Sequence, residues 1–243
     1  MSNYYIDGDD IGYVHGGFKS RKGLGNDHYP SDYYWDRDLW ELALALDGKI
    51  PKEDEYRGKK DRDYTKDLHN EVYRQTAAFF PDFGKVACVS MAFVNGGKVK
   101  YDSYYGEDEV KILKEVRKVF DKIDPLGFDL CGHSIKMFDI PFLGKRFFIN
   151  GLKPPTLFPD HNTKPWEMRT LDTKDVWQFG NNWALGSSDL VCSVLEIDSP
   201  KNGDVKGDNV TTNYWEGNHE EIKEYCEKDV EVLIKVLIKL TNL

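Results

Sequence analysis

The stretch Val86-Ala87-Cys88-Val89-Ser90-Met91-Ala92-Phe93-Val94, with Asn95-Gly96-Gly97 and then Lys98-Val99-Lys100-Tyr101-Asp102-Ser103-Tyr104-Tyr105 behind it, decides the fold. A nearly continuous apolar run from Val86 to Val94 reads as a central strand covered on both faces. Asn-Gly-Gly is a strong turn signal. Val99 to Tyr105 alternates in polarity and reads as the returning strand. Strands joined by so short a turn run antiparallel.

Downstream, Asp108 to Ile123 is an amphipathic helix with Ile112, Val116, Val119 and Ile123 on one stripe. Phe128 to Cys131 is a short buried strand. Ile140 to Asn150 reads as a helix, with Pro141 in its first turn and Gly151 just past its end. Ser187 to Leu195 is helical, and Asn218 caps a final helix to about Leu240, with Glu221 in the capping-box position. Upstream, Trp35 to Leu46 is a short helix and Lys49 to Asp63 a charged surface loop. Tyr64, Leu68, Val72 and Phe79 form a helical stripe closed by Pro81. The order strand, strand, helix, strand, helix, then helices implies an α/β domain with a mixed sheet.

A chain of 243 residues, 40% apolar, can bury a sizeable core. No stretch reaches the roughly 18 apolar residues of a membrane span, and the N-terminus has no signal-peptide pattern. The four cysteines stand far apart without a C-x-x-C pair, so buried thiols in a reducing cytoplasm are expected rather than a zinc site. A net charge of −9 argues against a module that binds nucleic acid tightly by neutralising phosphates. It permits a metal-dependent nuclease, in which carboxylates load a cation and the cation meets the phosphate.

Two segments carry chemistry. Tyr225-Cys226-Glu227-Lys228-Asp229 places a phenol and a carboxylate about one turn apart on one helical face. A carboxylate can hold a hard divalent cation, and a phenol beside it can orient a water. Cys131-Gly132-His133-Ser134-Ile135-Lys136-Met137-Phe138-Asp139-Ile140-Pro141-Phe142-Leu143 ends a strand, turns, and opens a helix with Asp139. In isolation Asp139 reads first as an N-cap. The C-terminal end of a strand is also where α/β folds place functional groups. Asp172 and Asp175 read as solvated loop acids, with one of them near the site as the alternative, and His133 as a satisfied polar contact. His161 and His219 read as surface residues. Lys145 and Arg146 fit a solvated helix face or local positive charge near a substrate. Trp166, Trp177, Trp183 and Trp215 read as core packing, with base stacking as the alternative.

Taken in order, the strand and hairpin, G-H-x-I-K-x-F-D-I-P-F-L, L-D-T before Trp177, and Y-C-x-K-D-V resemble the DEDDy 3′–5′ exonucleases. The likeness is to the stand-alone family similar to the proofreading domain of family-B DNA polymerases, and it runs from about Phe79 to the C-terminus. Phe83-Gly84-Lys85-Val86, Ile149-Asn150-Gly151-Leu152, Lys164-Pro165-Trp166 and Ile197-Asp198-Ser199-Pro200-Lys201 also look like that family.

The resemblance implies a ribonuclease H-like fold, a mixed central sheet flanked by helices, over a single domain 1–243 with 15–75 an insertion or lid. It implies two Mg²⁺ or Mn²⁺ ions about 4 Å apart, held by four acidic ligands. Asp139 and Asp229 match two of the ligands, and Tyr225 matches the residue that orients the attacking water. Ser134, Lys136 and Phe138 match positions that contact substrate, with Ser134 where the family usually has Asn. The first motif, D-x-E, has two registers here. Tyr4-Tyr5-Ile6 is the better strand, which makes Asp7 and Asp9 the remaining ligands, with Asp9 one methylene shorter than Glu. The other register uses Asp10 and puts Gly12 in place of the Glu. A surface turn at this stretch is the third reading.

The implied activity is 3′–5′ hydrolysis of single-stranded DNA to nucleoside monophosphates. RNA is the alternative substrate. An inactive nucleic-acid- or nucleotide-binding module of the same fold is the alternative function. The chain ends just after the third motif, so proofreading calls for a separate polymerase or repair partner. The implied setting is cytoplasmic, without membrane, and a bacterial or phage source suits the family.

Overall fold

The computed structural model of the protein describes residues 4–5, 11–15, 77–95, 98–181, 186–198 and 205–241. The expected helix at Trp35–Leu46, the loop at 49–63, most of the 64–79 stripe, Trp183 and the 15–75 insertion lie outside the described residues. Two compact units are formed: Met1–Val14 with Val86–Leu243, and His15–Lys85.

β1 (Tyr4–Tyr5), β2 (Ile11–His15), β3 (Gly84–Asn95), β4 (Lys98–Tyr105), β5 (Leu130–Gly132) and β6 (Thr170–Asp172) belong to one sheet. The order is β2-β3-β1-β5-β6, with β4 paired to β3. The hairpin is as expected, antiparallel from Cys88↔Tyr105 to Asn95↔Lys98. β1 pairs antiparallel with β3 (Tyr4↔Phe93) and parallel with β5 (Tyr5↔Cys131), so the first strand is central. β5 runs parallel to β6, with Gly132 opposite Asp172. β1, β3 and β4 alternate in direction and β5 and β6 run parallel to β1, the mixed sheet of a ribonuclease H-like fold, with β2 as a further strand beside β3.

The helices are α1 (Glu109–Ile123), α2 (Asp139–Ile149), α3 (Thr173–Gln178), α4 (Ser188–Val194), α5 (Val210–Glu216) and α6 (His219–Thr241). α1 is capped by Asp108, which accepts from the Lys111 amide, and α4 by Ser187, which accepts from Leu190. α2 ends where Gly151 takes φ 67, with Leu152 N donating to Phe147 O at 2.8 Å and Gly151 N to Phe148 O at 2.9 Å. This paired closure needs a left-handed residue, which is why Gly stands there. β6, α3 and α5 were not foreseen as elements.

α6 spans the sheet. Val230, Leu233, Ile234 and Leu237 share a core cluster with Ala92 of β3 and Cys131 of β5. Ile222, Tyr225 and Cys226 share another with Ala87 and Cys88. α2 buries Phe142 and Phe147, and Phe147 meets Phe158 edge-on at 6.3 Å. Each such ring contributes about 1.5–3 kcal/mol by leaving water. The four cysteines are buried and none is in a disulfide. Among the described residues no helix is long and apolar enough to cross a membrane.

Arg146 departs from both readings of its helix face. It is buried, and its guanidinium donates to both oxygens of buried Glu109, Nε to Oε1 at 2.8 Å and Nη2 to Oε2 at 2.6 Å. Val86 N (2.8 Å) and Asn150 Nδ2 (3.0 Å) complete that carboxylate's partners. A forked guanidinium fits a carboxylate bidentately, so the ion pair ties α2 to the start of α1 and to β3. Lys145 is exposed. Trp166 and Trp215 are exposed rather than core, while Trp177 packs partly against the Val191–Val236 cluster. Their sequence neighbourhoods are polar, and short 3-10 and helical turns leave those rings outside.

Candidate active site

β1, β5 and β6 run parallel, so their C-terminal ends lie on one side of the sheet. That side is where open α/β sheets bind ligands. Chains leaving β5 and β6 there deliver Asp139 and Asp172. The chain leaving β1 continues into Asp7 and Asp9, which lie outside the described residues, as do Asp10 and the choice between the two registers.

Asp139 is fully buried and is the first residue of α2. The N-cap is Phe138, whose side chain makes no cap bond, so Asp139 is not the capping residue its position first suggests. The turn before it is compact. Ser134 O accepts from Met137 N (3.0 Å) and Phe138 N (2.9 Å), and Ile135 O from Ile140 N (3.1 Å). Ser134 has φ 64, a left-handed conformation that costs a non-glycine residue roughly 1 kcal/mol. Asn and Gly tolerate that region best, which supplies a backbone reason for the Asn usual at this position in the family.

Tyr225 and Asp229 occupy one face of α6, both nearly buried. Register places them. Ala92 lies opposite Tyr5 at the end of β1, and Cys88 is four residues further along antiparallel β3. That is about 13 Å beyond the last paired residue of β1. Tyr225 clusters with Cys88, and Val230 with Ala92 and Cys131. α6 therefore carries Tyr225 and Asp229 across the C-terminal ends of β1 and β5. A Cβ on Gly207 would sit 3.7 Å from the Tyr225 hydroxyl, so the 205–209 segment borders the phenol.

The residues expected to touch substrate lie on the turn. Ser134 is half-buried, and Phe138 is half-buried with its ring 5.9 Å from that of Phe142. Lys136 Nζ pairs with Asp175 at 2.7 Å, so part of its charge is already met. Met137, 81% exposed, stands between them. Asp175 is exposed, as expected, but Asp172 is not a solvated acid: it is 2% exposed and its carboxylate accepts three backbone amides. It ends β6 opposite Gly132, so its side chain meets the turn leaving β5. The loop reading arose because a lone Leu171 gives Thr-Leu-Asp no apolar run that would mark a strand. His133 is the satisfied contact expected, with Nε2 2.6 Å from Gly186 O and Nδ1 2.9 Å from Thr173 Oγ1. A carbonyl only accepts, so Nε2 carries the proton. His161 is exposed, and His219 stacks edge-on to Tyr214 at 4.9 Å.

Among the described residues no group of three or more His, Cys, Asp or Glu side chains could hold a metal ion. The described candidates are two buried carboxylates, Asp139 and Asp229, carried by different helices. Burying carboxylates costs least when a cation or donors meet them. An oxygen-only donor set suits Mg²⁺ or Mn²⁺.

Residues 79–239 match the model of a family described as a predicted 3′-5′ exonuclease related to the exonuclease domain of PolB. Curated proteins give no match. Among solved structures, the family B DNA polymerase from the hyperthermophilic archaeon Pyrobaculum calidifontis is similar, with a TM-score of 0.53 at 14% identity. The match covers 69% of this chain and 23% of the polymerase, so the likeness is one of fold over about a quarter of that protein's length.

Proposed function

The chain belongs to the family of predicted 3′-5′ exonucleases related to the exonuclease domain of PolB, and we propose that it hydrolyses single-stranded DNA from the 3′ end to nucleoside monophosphates. One observation carries this reading. Buried Asp139 follows β5, and the Tyr225–Asp229 pair on α6 crosses the same ends of the parallel strands.

Asp139 and Asp229, with Asp7 and Asp9 from the segment after β1, would hold two Mg²⁺ or Mn²⁺ ions. Bound there, the cations would activate a water and stabilise the leaving 3′-oxygen. Tyr225 holds its hydroxyl at the edge of the site, where it accepts or donates a hydrogen bond to the attacking water and fixes its direction. Its nearly buried ring limits rotation, and an oriented nucleophile lowers the barrier without new chemistry. Ser134, Lys136 and Phe138 line the approach from the turn, offering a hydroxyl, a cation and a ring face to the terminal nucleotides. The net charge of −9 keeps general affinity for polyanions low, so productive binding depends on these local groups and the metal. A separate polymerase would supply the 3′ ends if the activity serves proofreading.

The test is digestion of 5′-labelled single-stranded DNA with Mg²⁺ or Mn²⁺, with RNA of the same sequence alongside. Stepwise shortening from the 3′ end, stopped by EDTA, is expected. Asp139→Ala and Asp229→Ala should each abolish it, and undiminished cleavage by either variant would sink the assignment. Tight nucleotide binding without cleavage by the parent protein would make it a binding module instead.

A further inference from the structure

We infer that Asp172 is a positioning residue of this site: its buried carboxylate holds the 133–138 turn in the one geometry that presents Asp139. The inference rests on the exonuclease reading for its functional consequence, and on hydrogen bonds alone for the clamp. Oδ1 accepts from Ser134 N at 2.8 Å and from Lys174 N at 3.0 Å, and Oδ2 lies 3.3 Å from Lys136 N. The Lys174 bond is an ordinary cap on α3. The other two are not capping. They reach across to a different segment, and they take the first amides of the turn that ends at Asp139.

The turn cannot hold itself so well. Its internal bonds begin only at Ser134 O, and Ser134 is left-handed without being Gly. A left-handed serine relaxes toward ordinary backbone unless neighbours over-determine it. The carboxylate does so by fixing the amides on either side of Ile135, whose side chain is fully buried. His133 secures the residue before, through Gly186 O and Thr173 Oγ1, and Thr173 Oγ1 lies 3.3 Å from Gly132 O. Asp172 and Thr173 are consecutive, so one short segment at the end of β6 grips both halves of the turn.

Asp172→Ser separates the roles, because Ser still caps α3 but is too short to reach Ser134 and Lys136. Asp172→Asn keeps the length and one acceptor. Both are assayed well below their unfolding midpoints. In Asp172→Ser the Ser134 and Lys136 amides should exchange more than about tenfold faster. The kcat should fall about 100-fold, as expected when a reacting group is misplaced by an ångström, and KM should rise as well, because Ser134, Lys136 and Phe138 ride on the same turn. Asp172→Asn should recover much of both. Unchanged exchange in the turn, or unchanged kcat in the serine variant, overturns the proposal. A loss of activity that follows only the unfolded fraction also overturns it. Should the parent protein cleave neither DNA nor RNA, the exonuclease reading fails separately. The clamp is then judged on exchange: faster exchange confined to 133–139 supports it, and none refutes it.

Discussion

Replacing Arg146 by Met should destabilise the protein more than any surface substitution. The guanidinium and the Glu109 carboxylate are each about 9% exposed and share two hydrogen bonds of 2.8 and 2.6 Å. Met fills most of the same volume, so little of the loss comes from a cavity. What remains is a buried carboxylate keeping Val86 N and Asn150 Nδ2 and losing its counter-charge. Removing one partner of a buried pair costs about 3–5 kcal/mol. For a chain of this size each kcal/mol moves the midpoint by about 2–4 °C, so Tm should fall by roughly 6–20 °C. Urea unfolding followed by tryptophan fluorescence gives the free energy directly. Adding Glu109→Gln to Arg146→Met should recover part of the loss, because no bare charge is then buried. Raising the salt concentration should barely change the difference, since buried pairs are poorly screened. A loss under about 1 kcal/mol, or one that shrinks steeply with salt, would refute the buried-pair account, because that is how an exposed pair behaves.

Other outcomes follow from the same structure. Ser134→Asn should raise stability by a few tenths to about 1 kcal/mol, and Ser134→Val should lower it by about 1–3 kcal/mol, because position 134 is left-handed; thermal melts of both variants check this. Burial, with Glu107 and Glu109 adding to it, holds the Tyr214 phenol well above its ordinary range. An unfolded tyrosine ionises near pH 10, so above that pH the unfolded chain sheds a proton the native one keeps, and stability falls as pH rises. Tyr214→Phe should flatten that alkaline decline in denaturant titrations from pH 9 upward. At Gly84 a Cβ would stand 3.0 Å from Ala78 O and 3.3 Å from Phe80 O, both backbone, so Gly84→Ala should cost about 1–3 kcal/mol in the same assay.

The hairpin was legible because nine nearly unbroken apolar residues have nowhere to go but a covered strand. Asp139, Tyr225 and Asp229 were legible from ordered motifs, and the fold puts them at the ends of parallel strands. The polar interior was not. Glu109 looks like any helix acid until Val86, Arg146 and Asn150 are brought to it from 23, 37 and 41 residues away. Asp172 is hidden in the same way, its partners lying 38 and 36 residues back. Whether a charged side chain is buried depends on such distant partners, and periodicity records only which side of an element is apolar. β6 escaped because Leu171 is its one apolar residue, whereas Phe128, Leu130 and Cys131 marked the equally short β5.

The central place of β1 has a consequence for synthesis. Its partners, Phe93 and Leu130, are 89 and 126 residues downstream of Tyr4. At about 5–20 residues per second, the strand waits roughly 6 s at best, and about 25 s at worst, for both neighbours to be made. The β3–β4 hairpin can close the moment it is complete, whereas the sheet's middle strand is threaded in afterwards, against a surface already half built. Of the four carboxylates proposed to hold the metals, the two that follow β1 would be the first translated, and they would wait until Asp139 and Asp229 have been made.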